Sequence, residues 1–186
     1  MEIINNTKVS CDLLLRVITE SKVESCDVVL YLDNRVNSLK ADYAKEKIAE
    51  YRSKGWTPLP FWQAQVSGED DPHACMVHRD IIGNQSLPQY AKAAIGSAEV
   101  LVYLDSTWTT ESPIALVVTL AHELRHVWQS FNLPVVLHSQ TTLSWVMKPQ
   151  RTPCELDAES TARALIGYLV EMPSVPTHRA HSHMSG

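Results

Sequence analysis

Apolar side chains recur every three to four residues over two early segments, residues 11–23 and 38–54. This spacing places the apolar positions on one side of a helix, so both segments are predicted to be amphipathic helices. The second segment ends at Gly55, a residue that commonly terminates helices. A shorter helix is predicted over residues 87–94, after the turn-rich region that extends from Trp56 to Pro72.

Two continuous apolar runs have almost the same sequence. Val28-Val-Leu-Tyr-Leu-Asp33 is matched by Val100-Leu-Val-Tyr-Leu-Asp105. Short β-rich runs of this kind, bounded by polar turn residues, are typical of buried strands. The flanking residues do not match, so we interpret the two runs as core strands of one sheet rather than as a domain repeat. Residues 76–82 are predicted to form a further strand.

Two long helices are predicted in the second half of the chain. The first begins at Ser112-Pro113 and continues without Gly or Pro to Phe131, and its first part, residues 114–121, is apolar nearly all round. That composition predicts a buried helix. The second begins at Thr152-Pro153 and extends to about Val170. In both cases a hydroxyl residue precedes a proline, which is a common helix start.

The composition is that of an ordinary globular protein. The chain has 186 residues, of which 45% are hydrophobic and 20% charged, and its net charge is −5. We therefore expect one domain over residues 1–172, a disordered Pro/Ser-rich tail over residues 173–186, and no nucleic acid partner. Apolar runs long enough to cross a membrane and a signal peptide are both lacking, and the four cysteines are widely spaced. A cytoplasmic protein with reduced thiols and no membrane partner is expected.

A metal-binding pattern lies within the first long helix, at His122-Glu123-Leu124-Arg125-His126. Residues four apart lie on the same side of a helix, so both imidazoles can reach one Zn²⁺ ion. Glu123 points to one side of the pair, where it can act as the general base of a zinc hydrolase. Such polar side chains are costly on a buried helix unless a metal compensates them. The alternative is an ion-paired helix surface on which the two histidines are incidental.

The third zinc ligand must come from elsewhere in the chain. Gln129 and Asn132 occupy the positions at which metzincins have Gly and His, so that pattern is absent. Glu155 on the second long helix is the leading candidate, because the two histidines need an anionic partner. Its alternative role is a capping box with Thr152, and Asp157 is the runner-up ligand.

Glu159 is predicted to be a partner that accepts the second N–H group of one ligand histidine. Its alternative is a surface pair with Arg163, four residues later on the same helix. Small Ala158 and Ala162 would let the two long helices pack closely, which brings Glu155 within reach of the metal.

Together these two helices resemble those of gluzincin-type zinc metallopeptidases. Glu155-x-x-Ala158-Glu159-x-x-Ala162 is similar to the element that follows His-Glu-x-x-His in the ImmA/IrrE type and the membrane CAAX-processing type. The resemblance covers about residues 98–170. It implies that the first Glu is the third ligand and that the later acid bonds a ligand histidine. It also implies a zincin-like α+β fold, in which a small mixed sheet packs on helices that include the active-site helix and a second ligand helix.

The expected activity is hydrolysis of a peptide or protein substrate by zinc-activated water, with Glu123 as general base. The strand ending at Asp105 or the one at residues 76–82 could pair with an extended substrate. His138 and Tyr168, and after them Tyr103, are candidates for stabilising the oxyanion. The alternatives are an inactive zincin-fold module that binds peptides, a zinc amidohydrolase acting on non-peptide substrates, and a structural protein with an incidental histidine pair.

Overall fold

The computed structural model describes residues 1–35, 39–58, 63, 66, 74–106, 113–134 and 152–171, and for residues 39–41 and 168–171 it describes the backbone alone. The limit of the expected domain at residue 172 and the expected tail over residues 173–186 lie outside the described residues. The described part of the chain is a mixed α+β structure in which a small four-stranded sheet packs against helices.

Helices and strands alternate along the first two thirds of the chain, and two long helices follow. In chain order they are β1 (Glu2–Asn5), α1 (Cys11–Glu20), β2 (Val28–Leu32), α2 (Leu39–Ser53), β3 (Ala74–His78), a 3₁₀ helix (Arg79–Asn84), α3 (Gln89–Ala94), β4 (Val100–Leu104), α4 (Pro113–Asn132) and α5 (Pro153–Glu171). Every helix predicted from the sequence is therefore present, with ends that differ by a few residues.

The sheet has the strand order β1-β2-β4-β3. Strands β1, β2 and β4 are parallel, and β3 is antiparallel to β4 at one edge. The two near-identical runs are neighbours that pair residue for residue, from Val28 with Val100 to Leu32 with Leu104. The prediction that they are two core strands of one sheet is confirmed.

Each face of the sheet carries its own apolar cluster, because successive side chains of a strand point to opposite faces. On one face, alternate residues of β2 and β4 pack with α1, α4 and α5. On the other face, the intervening residues pack around α3, where Ala91 is fully buried. Both strands are buried along their whole length, which explains why their sequences are continuous apolar runs and do not alternate.

One strand was missed, and the ends of another were misplaced. Strand β1 was not predicted, although it pairs with β2 along Glu2–Asn5. The strand expected over residues 76–82 begins earlier, at Ala74, and ends at His78. The chain then turns into the 3₁₀ helix, where Ile81 is 45% exposed. The apolar pair Ile81-Ile82 therefore does not continue the strand.

Helix α4 packs against the sheet on one side and against α5 on the other. Ala158 and Ala162 of α5 are fully buried and have small side chains, so the two helices approach closely. This arrangement brings the first turn of α5 beside the middle of α4. Within the described residues, no helix has the length and apolarity needed to cross a membrane.

Candidate metal centre

The middle of α4 supplies two of the three converging residues. Leu120, Leu124 and Val127 are fully buried and hold the helix against the rest of the core. His122 and His126 lie on the side of the same helix that faces α5, and His126 is 8% exposed. The apolar residues of α4 thus fix the position of both imidazoles before any ligand binds.

The first turn of α5 supplies the third residue. The Thr152 hydroxyl accepts a hydrogen bond from the Glu155 backbone N–H at 3.4 Å, which caps the start of the helix. The Glu155 carboxylate lies against the two imidazoles, so Thr152 and Glu155 combine a backbone cap with a side chain that remains available at the site.

Three ligand atoms converge on one point. The two Nε2 atoms of His122 and His126 are 3.1 Å apart, and the Glu155 carboxylate oxygens lie 3.2 Å from His122 Nε2 and 3.4 Å from His126 Nε2. Ligands bound to a tetrahedral zinc ion at its usual bond lengths are about 3.3–3.6 Å apart. The observed separations differ from that spacing by a few tenths of an ångström at most. Among the described residues, this group is the one that could hold a metal ion.

The electrostatics of the three residues favour a cation between them. Burial opposes a charge on His126, but the hydrogen bond and negative charge of Glu155, together with the Glu123 charge and the Gln129 hydrogen bond, raise the His126 pKa above its usual value. Burial likewise opposes ionisation of Glu155, but hydrogen bonds from both imidazoles lower its pKa to about 2. The carboxylate is therefore ionised, and the nearby nitrogens attract either a proton or a metal ion.

One side of the group is open to solvent. The side chains of His122 and Glu155 are 26% and 35% exposed, whereas that of His126 is 11% exposed. A metal held by these three residues would be covered on the His126 side and accessible on the other. Catalytic zinc sites typically have three protein ligands and one open position, whereas structural zinc sites have four protein ligands.

Glu123 lies beside the group. It is buried, with 8% of its surface exposed, and its charge contributes to the raised pKa of His126. Because it follows His122 on the helix, it does not share the direction of the two imidazoles. A buried carboxylate that is close to a ligand but is not itself one of the converging groups suits a general base.

Gln129 is the site residue that sequence reasoning missed as a participant. It is 1% exposed, and its Oε1 atom lies 2.8 Å from His126 Nδ1. Its amide nitrogen donates to the Cys154 carbonyl at 3.1 Å and to Asp157 Oδ2 at 2.8 Å. An amide side chain three residues after a ligand histidine lies on the same side of the helix as that histidine, and this was the signal that could have identified it.

The two acids after Glu155 contact arginine side chains in the structure. Asp157, the runner-up ligand, faces Arg125, whose Nε donates to Asp157 Oδ2 at 2.7 Å, and this hydrogen bond lowers the Asp157 pKa. Glu159, the expected partner of a ligand histidine, instead pairs with Arg163 on the exposed side of α5. That surface pair was the alternative reading of Glu159.

Of the three oxyanion candidates, two remain predictions and the third lies away from the metal group. His138 is outside the described residues, and Tyr168 lies in α5 with a side chain that is not described. Tyr103 is fully buried on the opposite face of the sheet, where its hydroxyl donates to Asp33. Tyr103 therefore belongs to a different polar cluster. Comparisons with protein-family models, with curated proteins and with solved structures found no match to this chain.

Proposed function

We propose that this protein is a zinc-dependent metallopeptidase with a zincin-like, gluzincin-type active site. The observation that carries the proposal is the convergence of His122, His126 and Glu155 at separations of 3.1–3.4 Å, with buried Glu123 next to the first ligand. The resemblance of the two helical motifs to gluzincins, noted from the sequence, points to the same chemistry.

Zinc is the metal that best suits these donors. Two imidazoles and one carboxylate are a common ligand set for catalytic zinc, whereas magnesium and calcium prefer oxygen ligands alone. When bound, zinc supplies a Lewis acid that polarises a carbonyl and makes a water molecule nucleophilic at neutral pH.

Glu123 performs the proton transfers in the proposed reaction. Its carboxylate takes a proton from the attacking water as the water oxygen bonds to the peptide carbonyl carbon. It then gives that proton to the amine that leaves when the C–N bond breaks. His122, His126 and Glu155 keep their positions throughout, because the packing of α4 against the core and α5 holds them.

Strand β3 is the better of the two substrate strands considered from the sequence. Strand β4 lies between β2 and β3, so its backbone groups are already paired on both sides. Strand β3 is at the edge of the sheet and is antiparallel to β4. Its last residue, His78, contacts Ser130 of α4 at 2.8 Å, so this edge lies alongside the helix that carries the two histidines. An extended peptide can add to such an edge.

The test of the proposal combines metal content with peptide cleavage. The full chain, with His178, His181 and His183 replaced by Asn to remove adventitious sites, is purified without a metal column and analysed by mass spectrometry. We expect one zinc ion per chain, and cleavage of a fluorescence-quenched peptide library. Glu123→Gln is expected to keep the zinc and to lower cleavage by at least about 100-fold, the lower range for general-base catalysis.

Three results would contradict the proposal in different ways. A wild-type chain that holds no zinc after zinc addition and dialysis would leave the histidine pair incidental. Cleavage by Glu123→Gln at the wild-type rate would show that Glu123 is not the base. A cobalt-loaded chain whose visible spectrum changes with acetohydroxamate, but which cleaves no peptide, would favour an inactive binding module or a non-peptide amidohydrolase.

A further inference from the structure

We infer that Gln129 is the positioning residue of the metal site: it selects the tautomer of His126 and joins the helix of the histidines to the helix of Glu155. The inference rests on the proposed zinc site, and it assigns to an amide on α4 the role that the gluzincin resemblance would give to Glu159. It concerns how the ligands are held and does not depend on which substrate is cleaved.

The orientation of the Gln129 amide is fixed by its neighbours. Its nitrogen is within hydrogen-bond distance of two acceptors, the Cys154 carbonyl at 3.1 Å and Asp157 Oδ2 at 2.8 Å. The reversed amide would place its oxygen against both of these oxygens and would lose both hydrogen bonds. The amide oxygen must therefore face His126.

The orientation of the amide determines the proton position on His126. The Gln129 oxygen is only an acceptor, and it lies 2.8 Å from His126 Nδ1, so Nδ1 carries a proton and donates it. In the neutral imidazole the Nε2 atom then has a free lone pair. Nε2 is the atom that lies 3.1 Å from His122 Nε2 and 3.4 Å from Glu155, at the centre of the site.

Asp157 supports this arrangement through Gln129, to which it is hydrogen-bonded. Its two oxygens accept from Arg125, at 2.7 Å from Nε and 3.3 Å from Nη2, and one of them also accepts from Gln129. Arg125 thereby balances the charge of Asp157. His126 is oriented by a neutral amide, in contrast to zinc sites in which a carboxylate accepts the histidine proton directly.

The same amide also locks the two helices together. Gln129 belongs to α4, and both of its acceptors, Cys154 and Asp157, belong to the first turns of α5 on either side of Glu155. A displacement of α5 relative to α4 would break these bonds and move Glu155 away from the histidines. Gln129 thus positions His126 and Glu155 without being one of the converging groups.

The experiment compares three single substitutions in the full chain, each carrying the Asn replacements at positions 178, 181 and 183. Gln129→Met keeps the length of the side chain and removes its hydrogen bonds. Asp157→Asn keeps an acceptor for Gln129 and removes the charge. Ser130→Ala is the matched control, because Ser130 is the next residue on α4, is similarly buried, and bonds His78 instead of a ligand.

Zinc affinity is measured by competition with a chromophoric chelator, and the tautomer of His126 by ¹⁵N NMR of the metal-free protein at alkaline pH. We expect Gln129→Met to weaken zinc binding by about 10- to 100-fold, the usual effect of losing a partner of a ligand. Asp157→Asn and Ser130→Ala are expected to change it by less than about threefold, because neither removes the acceptor of His126 Nδ1–H. The wild-type His126 is expected to carry its proton on Nδ1, and Gln129→Met to lose that preference.

The tautomer measurement separates failure of this inference from failure of the proposed function. Wild-type His126 with its proton on Nε2, or an unchanged tautomer in Gln129→Met, would overturn the role of Gln129 even if zinc binds and peptides are cleaved. An Asp157→Asn loss as large as that of Gln129→Met would also overturn it, because the charge would then dominate. The wild-type spectrum decides the question even if Gln129→Met does not fold or if no zinc binds.

Discussion

Two polar clusters lie on opposite sides of the sheet, one centred on a fully buried carboxylate and one partly open to solvent, and they are completed in different ways. On the face packed by α3, the Asp33 carboxylate accepts the hydroxyls of Tyr103, at 3.0 Å, and Tyr90, and its other oxygen accepts the Arg35 backbone N–H at 3.2 Å. On the other face, Glu155 meets two imidazoles whose Nε2 atoms are 3.1 Å apart. The first cluster brings together a carboxylate and O–H donors, and the second brings together atoms that are metal ligands.

The difference shows that the partners of a carboxylate indicate whether it stabilises the fold or binds a ligand. Around Asp33, the chain supplies the protons, and burial together with the Asp33 carboxylate raises the pKa of Tyr90 to about 12 and that of Tyr103 further. Such a cluster is closed by hydrogen bonds and stabilises the fold. Around Glu155, an ionised carboxylate meets the Nε2 atoms of two imidazoles, so a cation, either a proton or a metal ion, is needed to balance the group. We therefore expect metal, mutation and pH to affect the two clusters differently.

The largest expected effect is the loss of metal binding on removal of Glu155. Glu155→Ala should weaken zinc binding by more than about 100-fold, because losing a ligand should exceed the 10- to 100-fold cost of losing a partner of a ligand. Equilibrium dialysis with zinc measures it. Glu159→Ala is the matched control, since that carboxylate lies on the same helix and pairs with Arg163 at the surface. Equal affinities for the two variants would remove Glu155 from the site.

A smaller effect, on stability alone, is expected in the other cluster. Asp33→Ala should lower the free energy of unfolding by about 2 kcal/mol, because it leaves the fully buried Tyr103 hydroxyl without this acceptor. Zinc affinity should not change. Denaturant unfolding checks the first expectation, with Asp42→Ala as the control, because Asp42 forms an exposed pair with Lys45 that is worth little. A stability change no larger than that of the control would show that the Asp33 cluster is not structural.

The smallest effect is a difference in pH response. The raised pKa of His126 means that the folded metal-free chain holds this proton more tightly than the unfolded chain does. Its stabilising contribution is complete below about pH 6.5 and is lost as the pH rises through the raised pKa. Zinc must displace the same proton, so its affinity should rise over that range, by at most about tenfold per pH unit for one proton.

Melting temperatures with and without zinc, across neutral pH, measure these opposite slopes. The Asp33 cluster should contribute nothing to them, because the pKa of Tyr90 is raised to about 12. Parallel pH profiles with and without zinc would contradict the assignment of the raised pKa to a metal-binding histidine.

Most of the fold was predictable because its elements carry strong local patterns. The matched runs that end at Asp33 and Asp105 are continuous and apolar, and the structure pairs them in register. Strand β1 was missed because Glu2–Asn5 is only four residues long and is held by pairing with β2, which no local pattern reports. Ile81 and Ile82 suggested a longer β3, but apolar residues can also lie in an exposed turn, as Ile81 does.

The candidate ligands were readable from the sequence, but their supporting partners were not. The spacing of His122 and His126 follows from helix geometry, and a carboxylate was required by their chemistry, which led to Glu155. The roles of Asp157 and Glu159 depend on how α5 is rotated against α4, and helical spacing within α5 does not fix that rotation. In the sequence, Gln129 showed only that the metzincin glycine is absent. Its role was not readable because the acceptors of its amide nitrogen lie on another helix.

The origin of the proposed ligands on two separate helices also has a kinetic consequence. The two histidines come together as soon as α4 forms, whereas Glu155 joins them only when the ends of the roughly 30-residue intervening chain meet, at an entropic cost of about 3 kcal/mol. A chain that has folded α4 but has not docked α5 offers a metal only half of a tetrahedral set. The rates of zinc association and dissociation should therefore depend on how fast α5 docks onto α4 and separates from it. Measuring zinc exchange would then measure the rate of that folding step.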